Sequence, residues 1–177
     1  ALSEGNYPKA VELFAPLADA GDLRAAITLG NIYYEGKPKV KQNYDTAYDW
    51  YLKALLGGDG DAMNNIGVMY RDGKGVSKNR QIAYLLFLLV NRANIGGDNT
   101  QIRAFANLNK EMAEQKTEDL QQALCFTYGY MLEYVKTKGA LQGVPEELKP
   151  TDKKPSFKNA KFWSAAEKEQ LNFSCAP

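Results

Sequence analysis

The sequence predicts an all-α fold, an α-solenoid of stacked helix–turn–helix hairpins closed by a C-terminal helical cap. Three observations predict it: an internal repeat of 36–37 residues, helix-capping residues that recur in step with it, and glycines at the expected helix ends. Asn6-Tyr7-Pro8-Lys9-Ala10 returns as Asn43-Tyr44-Asp45-Thr46-Ala47 and again as Asn79-Arg80-Gln81-Ile82-Ala83. Leu29-Gly30-Asn31-Ile32-Tyr33-Tyr34-Glu35-Gly36 likewise returns as Ile66-Gly67-Val68-Met69-Tyr70-Arg71-Asp72-Gly73. The drop from 37 to 36 reflects one extra residue in the Lys37-Pro38-Lys39 turn against Lys74-Gly75.

Each recurring residue has a mechanical role. Asn6, Asn43 and Asn79 precede alanine-centred amphipathic segments, where the side-chain amide oxygen accepts from free N–H groups of the first turn. Asp22 and Asp59 do the same for the second helix of each unit. Gly21 and Gly58 close the first helices, Gly36 and Gly73 the second. Ala10 and Ala47 leave room for close helix approach, as do Gly30 and Gly67 on the partner helix. Trp50, Tyr51 and Tyr70 fill the space between units. A third unit is partly decayed: Gly96-Gly97-Asp98 copies Gly57-Gly58-Asp59 at a spacing of 39, which places Ala106 at the position of Gly67 and Asn109 at that of Tyr70. Its first helix should then be about one turn longer. The run Ile82 to Val90 is apolar around most of its circumference and must be covered on both sides; at nine residues it is too short to span a bilayer.

The repeats occupy about 5–40, 43–76 and, degenerate, 79–114, within a region 1–116. Residues 117–177 form a capping region: a helix around Leu120 to Val135, a Gly- and Pro-containing connector from about Lys138 to Pro155, and a last helix over about Asn159 to Leu171. Such a cap hides the open apolar end of a stack.

Composition narrows the function. The net charge is +1 and no basic stripe stands out, so nothing attracts nucleic acid; the lysines 149, 153, 154 and 158 lie among prolines and an aspartate and read as a solvated connector. The chain contains no histidine, which removes Ser-His-Asp, Cys-His and HExxH layouts together with two-cysteine–two-histidine metal sites. Gly73-Lys74-Gly75-Val76 lacks the spacing and the Lys-Ser/Thr end of a phosphate loop and reads as a turn. Asp45 with Asp49, Asp59 with Asp61, and Glu146-Glu147 have no second group placed for acid–base work. No catalytic residue, metal ligand or cofactor is expected.

Cys125 and Cys175 are the only two thiols. They are compatible with one disulfide, which would stabilise the fold by roughly 4 kcal/mol on the chain-entropy account, or with two unrelated free cysteines. A disulfide would imply an oxidising compartment such as a periplasm. The start at Ala1-Leu2-Ser3 suits either a mature form after signal removal or a trimmed chain.

The run Asp45-Thr46-Ala47-Tyr48-Asp49-Trp50-Tyr51-Leu52-Lys53-Ala54, then Gly58-Asp59, then Asn65-Ile66-Gly67-Val68-Met69-Tyr70-Arg71-Asp72-Gly73-Lys74-Gly75-Val76, resembles a Sel1-like repeat, a relative of the tetratricopeptide repeat. The likeness is strongest over 43–76, good over 6–40 and partial over 79–109. It implies a right-handed solenoid whose concave face binds another protein or peptide, with no enzymatic activity, and, as in many exported bacterial members, a role as adaptor or immunity-type partner of a secreted protein. Other exported members bind β-lactam or cell-wall ligands, which makes a protein that binds or hydrolyses peptidoglycan the alternative; those members carry a disulfide in each repeat, and this chain does not. By analogy with related repeats the first helix of each unit lines the concave side. The candidate partner-binding residues are therefore Glu12, Asp45, Tyr48, Asp49, Lys53 and Tyr84, with Tyr48 and Tyr84 equally suited to packing between helices. Tyr34 and Arg71, near the ends of second helices, are further candidates.

Overall fold

The computed structural model describes residues 2, 4–92 and 96–114. Six helices follow one another: α1 (Tyr7–Asp19), α2 (Leu23–Glu35), α3 (Tyr44–Leu56), α4 (Gly60–Asp72), α5 (Arg80–Arg92) and α6 (Asp98–Glu114). No strand forms among the described residues, and no helix there is long and apolar enough to cross a membrane.

The repeated polar residues start the helices as their spacing requires. The side-chain oxygens of Asn6, Asn43 and Asn79 accept from the backbone N–H of Lys9, Thr46 and Ile82 at 3.2, 3.0 and 3.0 Å. Asp22 and Asp59 accept from Ala25 and Ala62 at 3.0 and 2.9 Å. Each bond satisfies one of the donors that a helix start leaves open, worth about 1 kcal/mol. In the first connector, the extra residue is taken up by a tight turn in which Lys37 and Val40 exchange backbone hydrogen bonds of 2.9 and 2.7 Å.

Consecutive helices pack side by side, but the interfaces are unequal. The contact of α2 with α3, and of α4 with α5, is more extensive than that of α1 with α2 or α3 with α4. Cohesion between hairpins therefore exceeds cohesion within them. The glycines explain why. A Cβ on Gly30 would lie 2.3 Å from the Tyr51 ring, and one on Gly67 would lie 2.5 Å from the Phe87 ring. In both cases a second helix offers bare backbone to an aromatic side chain of the following hairpin. Gly30 and Gly67 thus serve the approach of neighbouring units, rather than that of the two helices within a unit.

Around these seats lies one continuous core. Tyr48, Tyr51, Tyr70, Phe87, Leu29, Ile66, Met69, Ile82 and Leu86 are all buried within it. The Tyr48 and Tyr70 hydroxyls meet at 3.0 Å with the rings in an edge arrangement, so polar tips enter the core already paired. The apolar run Ile82–Val90 is buried throughout, as its all-round hydrophobicity demands.

The third hairpin departs from the expected register by one residue. Gly97, and not Asp98, is the residue whose carbonyl receives the first intrahelical bond of α6, from Gln101 at 3.1 Å. Gly96 (φ +95°) accordingly stands in the place of Gly58 (φ +89°). Phe105 and Leu108 then occupy the places of Gly67 and Tyr70, where the spacing alone put Ala106 and Asn109. Without a closing glycine α6 runs on to 17 residues, against 13 in α2 and α4. The described part of α5 is no longer than the other first helices; the residues that would lengthen it, 93–95, and the whole expected cap 117–177 with Cys125 and Cys175, lie outside the described residues.

Candidate binding surface

Of the six candidates on the first helices, four are exposed and two are buried. Glu12 is exposed on α1 and pairs with Lys9 at 3.0 Å. Asp45 and Asp49 are exposed on α3. Lys53 is half-exposed, 2.5 Å from Asp19 and 4.1 Å above the Trp50 ring. Tyr48 and Tyr84, by contrast, are buried in the core, so their role is packing and they present no surface to a partner. The reason is register: both lie on the side of a first helix that is enclosed by its neighbours. None of the six lines the two cavities described below.

The second helices do converge. A cavity of about 240 Å³ is lined by Asn31, Tyr34 and Glu35 of α2, Asn65 and Val68 of α4, and Arg103 of α6, with Tyr51 of α3 forming its wall. All three hairpins thus contribute to one hollow, and they do so chiefly through their second helices. Contacts that skip an element hold this face together. The Arg103 guanidinium pairs with Asp61, and the Thr100 hydroxyl donates to the same carboxylate at 2.5 Å, tying α6 to α4. Arg71 donates to Asn107 at 2.8 Å, and the Asn107 amide donates to Asn64 at 3.0 Å.

The hollow's lining is rich in amide and phenol groups and carries one carboxylate and one guanidinium. The Tyr51 hydroxyl donates to the Asn31 carbonyl oxygen at 2.7 Å, and burial pushes its phenol well above the usual tyrosine range. The Tyr34 ring meets Tyr44 edge-on at 5.3 Å, and Lys74 both caps that ring at 5.0 Å and donates to the hydroxyl at 3.2 Å. Arg103, half-exposed and paired with Asp61, brings a guanidinium; Glu35, paired with Lys37, brings a carboxylate. A second cavity, of about 560 Å³ and more open, lies between α1 and the connector from Lys39 to Asn43. Among the described residues no group of three or more acidic or cysteine side chains is placed to hold a metal.

Of the lining residues, the sequence candidates include Tyr34 but not Asn31, Glu35, Asn65, Val68 or Arg103. A signal was present. Thr28, Asn65 and Arg103 hold the same place on α2, α4 and α6, a position that is polar in every unit. The one-residue slip in the third unit hid the last member of that series.

A row of helical hairpins whose bare second-helix backbone seats the next hairpin's aromatic side chain is an α-solenoid repeat protein. The chain belongs to the Sel1 repeat family: the Sel1 repeat pattern matches residues 3–22, 23–59 and 60–89 in succession. The latter two stretches pair a second helix with the first helix that follows, the same pairing that packs most extensively here. No curated protein matches the chain. Sel1 repeats generally mediate protein–protein interaction and are typically scaffolds without enzymatic activity.

Proposed function

We propose that this chain is a non-enzymatic adaptor that holds an extended segment of another protein in the hollow of its second helices. The observation that carries the reading is the single cavity shared by α2, α4 and α6. Its amide and phenol groups suit a peptide backbone, which presents alternating donors and acceptors, and the Tyr34 and Tyr51 rings offer flat apolar contact. Arg103 favours an acidic residue or a C-terminal carboxylate near the α6 end of that segment.

The test is partner capture from the native host with the wild-type chain and two variants. Arg103→Glu, on the hollow, is expected to weaken retention of the partner at least tenfold, while Asp49→Lys, on the first-helix face, leaves it unchanged. The reverse pattern would return binding to the first helices and overturn this placement. We further propose that the protein works in an oxidising compartment, as the adaptor or immunity-type partner of a secreted protein. Support for that comes from the pair of cysteines alone. Intact mass with and without reductant reads it directly: a 2 Da gain on reduction fits one disulfide, and two alkylatable thiols in the native protein overturn it.

A further inference from the structure

We infer that the outward stripe of α6 is the seat of a fourth first-type helix, formed by residues 120–135 of this same chain. This inference does not depend on where a partner binds.

The starting observation is that α6 is apolar on two sides. One side is buried through Ala104 and Leu108. The other carries Ile102, Phe105 and Met112, exposed at 65, 54 and 53 %. A stripe of three large apolar side chains on one helix is unusual for a free surface. Its position identifies what belongs there. Phe105 stands in the place of Gly67, the point on α4 against which α5 packs, and of Gly30, the point on α2 against which α3 packs. The bare stripe of α6 is thus the face that, in both earlier hairpins, receives the next helix of the chain.

The sequence beyond α6 supplies a matching element. Five residues (115–119) separate Glu114 from Leu120, against eight (36–43) and seven (73–79) in the two earlier connectors between hairpins, and Thr117-Glu118-Asp119 gives a capping hydroxyl followed by two acids suited to a helix N-terminus. Leu120, Leu124, Tyr128, Met131 and Val135 then recur at helical spacing, with Gln121, Gln122 and Glu133 between them.

Hydrogen–deuterium exchange of the full chain tests this. Amides of 120–135 in the wild type should exchange at least about tenfold slower than an unfolded segment. Phe105→Asp should abolish that protection while peptides from α2 to α4 keep theirs. Should Phe105→Asp lower protection throughout the chain, the milder Phe105→Ala is read in its place, with a partial loss expected in 120–135 only. A segment 120–135 that is unprotected in the wild type overturns the inference. So does protection that survives both substitutions. Protection of α6 that disappears on dilution, together with a dimeric mass, also overturns it, by assigning the stripe to a second copy of the chain.

Discussion

Replacing Gly67 by alanine should destabilise this protein, although the same change in an ordinary helix interior stabilises. Alanine is favoured over glycine by about 1 kcal/mol in a helix, because glycine surrenders more backbone entropy on ordering. At Gly67 the added methyl would lie 2.5 Å from Phe87 Cε1, far inside van der Waals contact. Phe87 is fully buried and cannot swing into solvent, so α5 must shift or the ring must leave its rotamer. Overpacking of this kind costs about 1–3 kcal/mol. Setting that against the propensity gain leaves a net loss of about 1 kcal/mol, with a ceiling near 2 kcal/mol. The cause is tested by a double-mutant cycle. Phe87→Leu alone removes packing and costs about 1–2 kcal/mol, but in its presence Gly67→Ala should become neutral or favourable, a coupling of about 1 kcal/mol. Urea unfolding of the full chain followed by far-ultraviolet circular dichroism reads all four states. A Gly67→Ala protein more stable than wild type by about 0.5–1 kcal/mol, or a coupling below about 0.3 kcal/mol, would refute the account of glycine as the seat of the next hairpin.

Other consequences follow from single contacts. Asp59→Ala removes the cap on Ala62 N–H and should cost about 1 kcal/mol in the same unfolding assay, with Asp59→Asn retaining most of it. Arg80→Met strips the guanidinium from Glu111, a carboxylate with no exposed side-chain surface, and should cost about 2–3 kcal/mol, below the ~3–5 kcal/mol of a fully enclosed pair because Arg80 itself is partly solvated; Glu111→Gln in that background should recover part of the loss. Burial raises the Tyr51 phenol above its unfolded value, so the folded chain keeps a proton that the unfolded chain gives up above about pH 10. Its contribution is therefore complete below that pH and fades as pH rises; Tyr51→Phe should be less stable by about 1 kcal/mol at neutral pH, through loss of the bond to Asn31, yet lose stability less steeply in alkali.

Much of this molecule is legible in its sequence because the decisive signals are local. A cap such as Asp22 or Asn43 acts on a backbone N–H three residues away, and a glycine such as Gly36 acts where it stands, so helix starts, helix ends and the repeat length all follow from spacing. Burial of the Ile82–Val90 run follows equally directly, since no arrangement could leave an all-round apolar helix in water. Which helices face the hollow does not follow. That depends on how each hairpin is rotated against the next, and the rotation is fixed by contacts between residues far apart in the chain, Tyr51 on Gly30 and Phe87 on Gly67. Those contacts, with the Arg103–Asp61 pair that ties α6 to α4, draw Asn31, Asn65 and Arg103 into one hollow and enclose Tyr48 and Tyr84 in the core. The one-residue slip of the third hairpin has the same origin: two adjacent glycines permit either register in the sequence, and only packing of Ala104 and Leu108 into the core selects between them. Local chemistry by itself determined the helices and their repetition; the tertiary structure decided which faces meet, because facing is a property of pairs of helices and no single helix carries it.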